Sequence, residues 1–393
     1  MPQSDTRIRT VVLQPTPFCN IRCKYCYLPT RDDTSTMSLD TIETTFRRIF
    51  ESTYADEDLT IIWHAGEPLV LPVSYYETAF QSIERLRPTS VRLRHSFQTN
   101  GTLLNKAWCD LFRRWNVGLG LSIDGPRSLH NANRITRAGK GTFDQAMRGA
   151  RLLKAEGIRF HIISVLSQAA LHKAGELHSF YLEEGFHDVC FNVEESEGDH
   201  VSTLMQQGKD STRLQFLQFL QTFWTLSREA PGIDFIREID GIITRIFRPE
   251  EAKVGNDQVE PLAMMNVDCK GNVGTFSPEL LGYRNERYHD FLLGNVHTHT
   301  LEQMLHSEAM EAMAIDIRAG VEACRQECDY FSLCGGGAPV NKLAETGSFA
   351  STETSFCNLV QIVPADLVLR AFSQMEQSLV EVSQSDELLP ACA

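Results

Sequence analysis

Three thiols crowd one short stretch near the start of the chain, Cys19-Asn20-Ile21-Arg22-Cys23-Lys24-Tyr25-Cys26, a C-x3-C-x2-C run. Thiolates at this spacing can grip three corners of a [4Fe–4S] cube and leave the fourth iron without a protein ligand. An iron left open in this way can chelate a small molecule and start its chemistry. A structural zinc knuckle is the competing reading, but zinc wants a fourth Cys or His nearby, and the first histidine is His64. A second group lies far downstream: Cys324-x3-Cys328-x5-Cys334-Gly335-Gly336-Gly337, with Cys357 beyond it. Four cysteines can complete another [4Fe–4S] site, and three glycines let the chain wrap closely past it. An all-cysteine zinc site is the alternative there. Cys109 and Cys190 fall inside a helical and a strand pattern and read as buried small hydrophobes.

The elements that must position these residues alternate in type. Ile8 to Leu13 is a β-branched run leading into the cysteine loop, and Ser38 to Phe50 is a helix with Ser38 as N-cap. Strand patterns follow at Leu59 to Trp63, Val91 to Phe97, Val117 to Ile123, Ile158 to Val165 and Val189 to Val193. Helical patterns separate them at Pro72 to Leu86, Leu103 to Trp115, Thr142 to Glu156 and Leu171 to Glu184. Repeated strand–helix units imply parallel strands joined by right-handed crossovers. About six units fit before residue 195, too few for a closed eight-stranded barrel. Residues 196–261 read as a helical connector, with helices over Ser211 to Arg228 and Phe235 to Phe247. Met264 to Phe276 reads as a β-hairpin, Leu301 to Ile317 as a helix, and 366–393 as a C-terminal helix and tail.

Composition narrows the partners. A chain of 393 residues exceeds one ordinary domain, so two units sharing a large core are expected. Acids outnumber bases 51 to 37, for a net charge of −14, which disfavours nucleic acid, whose binding rests on neutralising phosphates. No stretch reaches the ~18 uninterrupted apolar residues of a membrane span, and Met1 to Thr10 lacks the apolar core of a secretory signal. Eleven cysteines in such a chain point to metal or redox chemistry rather than a disulfide scaffold. The expectation is a cytoplasmic, oxygen-sensitive protein with a peptide or small-molecule substrate.

At the first cysteine triplet, with Tyr25 just before its last member, the chain resembles the radical S-adenosylmethionine (SAM) enzymes. The resemblance implies a partial (β/α)6 TIM-like barrel, an α/β fold. It also implies that Cys19, Cys23 and Cys26 hold a [4Fe–4S] cluster and that SAM binds the open iron. An electron from the cluster then splits SAM into a 5′-deoxyadenosyl radical that takes a substrate hydrogen. In parallel barrels chemistry gathers at the C-terminal ends of strands, and the polar segments fall there. His64-Ala65-Gly66-Glu67-Pro68 matches a Gly-Gly-Glu element that holds the SAM amine, with Ala65 in place of the first glycine. Gln98-Thr99-Asn100-Gly101 resembles the family's T-N-G segment. Ser122 and Asp124 are placed to hydrogen-bond the ribose or carboxylate, and Arg134 either forks onto the carboxylate or pins its loop. Val193 would flank the adenine. Turn chemistry alone also explains Asn-Gly and Asp-Gly-Pro.

The C-terminal part, 262–365, resembles the SPASM domain of radical SAM peptide maturases, which usually houses two auxiliary clusters. Here Cys324, Cys328, Cys334 and Cys357 match one of them in full. The first gap is one residue longer than the family's, and Ala338 stands where a further cysteine belongs. Cys269 matches the domain's first cysteine, but no Gly-x4-Cys follows it. One auxiliary [4Fe–4S] cluster is therefore expected, with Cys269 a free thiol or an extra ligand. Trp63 to Leu69, Phe276 to Gly282 and Asn341 to Phe349 look like the GrrM/OscB-type enzymes. Those form three-residue cyclophanes in ribosomally made, Gly-rich precursor peptides, joining a Cβ to an aromatic ring two residues earlier. That likeness implies such a peptide as partner, with an external donor such as flavodoxin or ferredoxin. Met1 to Thr10 is too short for a fused recognition domain, so the leader is expected to dock on the barrel or SPASM surface or through a separate protein. Rearomatisation needs a base with a raised pKa. Glu279 is the first candidate, with Glu194, Glu195, Asp240 and Glu345 as rivals. Sulfatase-type oxidation, thioether bridging and epimerisation are the alternative chemistries.

Overall fold

The computed structural model describes residues 6–28, 30–196, 200–204, 208–252 and 255–386. Six parallel strands form the barrel wall: β1 (Ile8–Leu13), β3 (Ala55–Trp63), β4 (Arg92–Thr99), β5 (Gly118–Ser122), β7 (His161–Leu166) and β8 (Asp188–Val193), neighbours in that order. A short antiparallel pair, β2 (Ile21–Cys23) with β6 (Arg134–Thr136), stands apart as a second sheet. The crossover helices cover the outer face. The Leu39–Phe50 helix begins where the sequence says it should, its Ser38 cap accepting from the Thr41 amide at 3.0 Å. Its Ile42, Phe46 and Ile49 are fully buried. The helix Val73–Leu86 delivers Tyr76 and Phe80 against Trp63 and Phe97 of β3 and β4, an aromatic cluster with ring centroids 4.9–6.3 Å apart. Edge-to-face contacts of this kind add to the area they bury.

The sheet does not stop with the barrel. At one edge β9 (Phe235–Ile236) pairs in parallel with β8, and at the other β10 (Met264–Val267) pairs in parallel with β1. From β10 the chain turns back through β11 (Asn272–Thr275) to β12 (Gly294–Asn295). The expected hairpin is thus an extension of the barrel wall. Two expected elements differ. Phe235-Ile236 is strand rather than the start of a helix, and the helix proper is Arg237–Phe247. The helix expected over Leu301 to Ile317 is broken in two. Thr300 and Gln303 close a capping box at Leu301–Leu305, and Ser307 caps a second helix, Glu308–Glu327.

The last helix, Val363–Asp386, continues a turn of wider pitch over Asn358–Ile362; residues 387–393 lie outside the described residues. The stretch Ser355–Gln374 is long and apolar enough to cross a membrane, with a mean hydropathy of 1.3. Here it packs on the protein: the Phe372 ring lies tilted with its centroid 4.2 Å from that of Phe247, and Asp366 pairs with Arg213 at 2.7 Å.

Candidate active site

The cysteine loop is held at the C-terminal ends of the strands by bonds from three separate elements. Cys23 stands opposite Arg134 in the β2–β6 pair, and Lys24 N donates to Asn133 O at 3.0 Å. Arg134 is the hub. Its Nε pairs with Asp124 at 3.1 Å, its guanidinium lies 5.4 Å from the Tyr25 ring, and its Nη1 points at Cys23 Sγ at 3.9 Å. Tyr25 in turn donates to Asp124 Oδ2 at 2.6 Å, and Val165 N donates to Oδ1 at 3.1 Å. Burial alone would lower the Arg134 pKa, but Asp124, Tyr25 and Cys23 outweigh it and hold the group above its ordinary value. Burial pushes the Tyr25 phenol well up.

A second knot ties the other end of the loop. Glu67, 1% exposed, accepts from Thr99 Oγ1 at 2.7 Å, Leu69 N at 3.0 Å and Asn100 N at 2.8 Å. Three of a carboxylate's roughly four acceptor sites are thus filled, and burial still raises its pKa. Asn100 reaches onward, its Nδ2 donating to Asn20 Oδ1 at 2.9 Å and pointing at Cys19 Sγ at 3.9 Å. Gly66 sits at φ +56°, where a Cβ would fall 2.4 Å from Phe18 O and 2.5 Å from Thr16 O. Only glycine lets the strand end press so closely on the approach to Cys19. Ala65 beside it also holds a left-handed φ of 70°, a conformation that the family's glycine adopts more easily. Pro68 opens the short turn after Glu67, its carbonyl accepting from Tyr76 OH at 2.7 Å.

The remaining expected residues are less tightly knotted. Ser122 ends β5 half-buried. Val193 packs into the core and lines a small cleft with Glu194, Glu195, Asn341 and Glu345. Each acid there already has partners: Glu194 accepts from His200 and Thr203, Glu195 from Asn341, and Glu345 from the amides of Ser355 and Phe356. Asp240 accepts from Ile236 N. Glu279 lies just past β11, after Phe276 makes a buried left-handed turn at φ 68°. Its Oε2 accepts from Ser277 Oγ, and Gln14, at the end of β1, donates to Pro278 O at 3.0 Å. This ties its segment to the strand end that leads into the cysteine loop. Burial raises the Glu279 pKa. Cys269 stands half-buried at the hairpin, its pKa pushed up to about 11 by burial and by Asp268 and Asp33.

Two of the N-terminal cysteine sulfurs meet N–H donors, while burial opposes their ionisation unless a metal takes the place of the proton. Cys19, Cys23 and Cys26 lie close enough to feel one another's charge; burial above all, and Glu67 next, pushes the Cys19 thiol up to about 12. Amide and guanidinium N–H groups face two of these sulfurs, as a thiolate requires. Cys324, Cys328, Cys334 and Cys357 are likewise within reach of one another's charge, Cys334 acting on both Cys328 and Cys357. Gly335, Gly336 and Gly337 pass them with φ of 64°, 107° and 76°. Asn256 braces that turn through bonds to Cys334 O and Gly337 O at 3.1 and 2.7 Å. The sequence did not disclose the β2–β6 clamp, the bracing by Asn256, or two cations beside the second cysteine group, Lys342 and Arg245. These contacts join residues far apart in the chain and leave no local pattern.

A partial parallel barrel with three thiols in the loop after its first strand has the radical SAM fold, and the radical SAM superfamily model matches residues 13–168 of this chain. That match implies a [4Fe–4S] cluster and SAM at the matched segment. An uncharacterized protein of Synechocystis sp. is 38% identical over 373 residues, covering 94% of this chain and 92% of that one. The serine-type anaerobic sulfatase-maturating enzyme of Bacteroides thetaiotaomicron is 26% identical over 348 residues, covering 84% of this chain and 81% of its own. Among solved structures, anSMEcpe with bound AdoMet and the Kp18Cys peptide matches with a TM-score of 0.76 at 21% identity, covering 94% and 99% of the two chains. SuiB of Streptococcus suis bound to precursor peptide SuiA matches at 0.61 and 16%, covering 90% and 76%. The likeness to anSMEcpe spans the C-terminal, SPASM-like part as well as the barrel.

Proposed function

We propose that this enzyme is a peptide maturase that joins a Cβ of a ribosomally made, Gly-rich precursor to an aromatic ring, closing a cyclophane. The observation that carries the reading is the continuity of β10 and β11 with the barrel wall. It brings Glu279, with its raised pKa, to the strand end from which the cysteine loop departs. When bound, the SAM cluster at Cys19, Cys23 and Cys26 supplies a hydrogen-abstracting adenosyl radical, and a cluster at the four downstream cysteines supplies an acceptor for the second electron.

The chain's own residues do the rest. Tyr25, Asp124 and Arg134 fix the cysteine loop, and Glu67, with Thr99 and Asn100 around it, offers the SAM ammonium a buried carboxylate. Gly66 and Pro68 set the backbone that presents it. Ser122 offers a hydroxyl to the ribose or carboxylate, and Val193 an apolar wall to the adenine. Glu279 accepts the ring proton released as aromaticity returns, a task for which a carboxyl pKa above the usual ~4.3 is suited. An external flavodoxin or ferredoxin supplies the first electron, and the peptide leader docks on the barrel or SPASM-like surface or on a separate protein.

The names of the relatives keep sulfatase-type Ser or Cys oxidation as the competing reading. Anaerobic incubation with SAM, reductant and a short synthetic Gly-rich peptide with spaced aromatic residues, followed by tandem mass spectrometry, separates the two. A cyclophane loses two hydrogens, blocks fragmentation between the joined residues and survives desulfurisation. An aldehyde product reacts with a carbonyl reagent and fragments normally.

A further inference from the structure

Two cations flank the downstream cysteine group, and among the described residues neither has a carboxylate in salt-bridge range. Lys342, 3% exposed, donates to Gly320 O at 3.1 Å and sits 3.2 Å from Cys324 Sγ. Arg245, half-buried, donates to Leu333 O, the carbonyl just before Cys334, at 2.8 Å and to Gln361 Oε1 at 3.1 Å, both neutral. A buried cation without a counter-charge is strongly disfavoured. Here Lys342 meets one cysteine of the set directly, and Arg245 holds the carbonyl that precedes another. They come from two elements far apart in the chain, the helices Arg237–Phe247 and Pro339–Thr346. Four thiolates around a dicationic iron–sulfur cube leave a net dianion, which one ammonium and one guanidinium neutralise. The residue before Lys342 is Asn341, whose Nδ2 donates to Glu195 past the end of β8. One helical turn therefore binds the second cysteine group to the barrel.

We propose that Lys342 and Arg245 are the charge partners of an auxiliary cluster at Cys324, Cys328, Cys334 and Cys357, and that they hold its reduction potential up. The inference rests on the auxiliary-cluster reading given above. Reduction adds a negative charge, which a buried ammonium 3.2 Å from one sulfur stabilises; net charge and hydrogen bonds to the sulfurs are the protein's levers on such potentials.

The test uses the full-length chain carrying C19A, C23A and C26A, so that any remaining cluster is the auxiliary one. Iron and zinc are counted, and the midpoint is read by redox titration with EPR detection. K342M is expected to keep its iron and move the midpoint to lower potential, K342R to stay near the parent, and K342M/R245Q to move further than K342M. Loss of iron in K342M but not in K342R also supports the charge role. A K342M midpoint equal to the parent's at equal iron content overturns the proposal. So does loss of iron in both K342M and K342R, which marks a packing role, and so does an unmoved R245Q midpoint should K342M fail to fold. A parent chain holding zinc or no iron overturns the auxiliary-cluster reading itself, a separate outcome.

Discussion

Replacing Asp124 by Asn removes one charge from the buried knot under the cysteine loop while keeping the side chain's shape. In the native protein the Asp124 side chain is 2% exposed and that of Arg134 8%, with 3.1 Å between their charged atoms. Asp124 also accepts from Tyr25 OH and from Val165 N. An Asn there has one acceptor oxygen for three donors, and its amide must point N–H groups at at least one of them. Arg134 is then left as a buried cation without its carboxylate, a change that costs about 3–5 kcal/mol when one partner of a buried pair is removed. Tyr25→Phe deletes a single hydrogen bond to a carboxylate that keeps its other partners, at about 1.5 kcal/mol. Urea titration of the metal-free chain reads both differences from midpoint and slope. D124N is expected to lose more than Y25F by about 1.5 kcal/mol or more. The double replacement D124L/R134M, which removes both charges, is expected to be less destabilised than D124N. A D124N chain within about 1 kcal/mol of the parent, or one no worse than Y25F, refutes the reasoning.

Two further outcomes follow from the same geometry. Burial raises the Glu279 pKa, so its base form accumulates only above the ordinary carboxylate range. The rate of ring closure is expected to climb with pH through that raised value and then level off, and E279Q is expected to lower the rate about 100-fold or more and remove the limb. A pH-independent rate from about pH 5 to 8, or ring closure by E279Q at the parent rate, takes Glu279 out of the role. Gly66→Ala forces a Cβ to within 2.4 Å of Phe18 O at a left-handed φ. It is expected to cost more than the ~1–2 kcal/mol of the backbone conformation alone and to reduce iron retained at the N-terminal thiols. Iron content and urea midpoint equal to the parent's contradict that.

Much of the barrel was legible because each strand–helix unit carries its own periodicity and caps. Ser38 announced one helix, and the Thr300–Gln303 capping box with Ser307 was there to be read as the break the pattern over Leu301 to Ile317 obscured. Phe235-Ile236 escaped because a two-residue strand is defined by its neighbour β8, and its residues also suit a helix start. The strand-end segments around Glu67 and Asn100 could be found in the sequence, but the bonds between them could not. The same holds for Arg134, whose two alternatives were binding SAM's carboxylate and pinning its loop. Its contacts to Tyr25 and Cys23 span more than a hundred residues and, with the nearer Asp124, tie the loop down. Lys342 fell within a motif quoted for its likeness to a family. Its position against Cys324 depends on how the Glu308–Glu327 and Pro339–Thr346 helices pack.

The most direct test of the account is a count made in one anaerobic reaction: 5′-deoxyadenosine released against peptide converted, with the parent chain and with Cys19, Cys23 and Cys26 all replaced by Ser. The account predicts that the parent yields deoxyadenosine together with a peptide two hydrogens lighter and carbon-linked at an aromatic ring, and that the serine variant yields neither. Deoxyadenosine without a modified peptide, a product of unchanged mass, or turnover by the serine variant would contradict it.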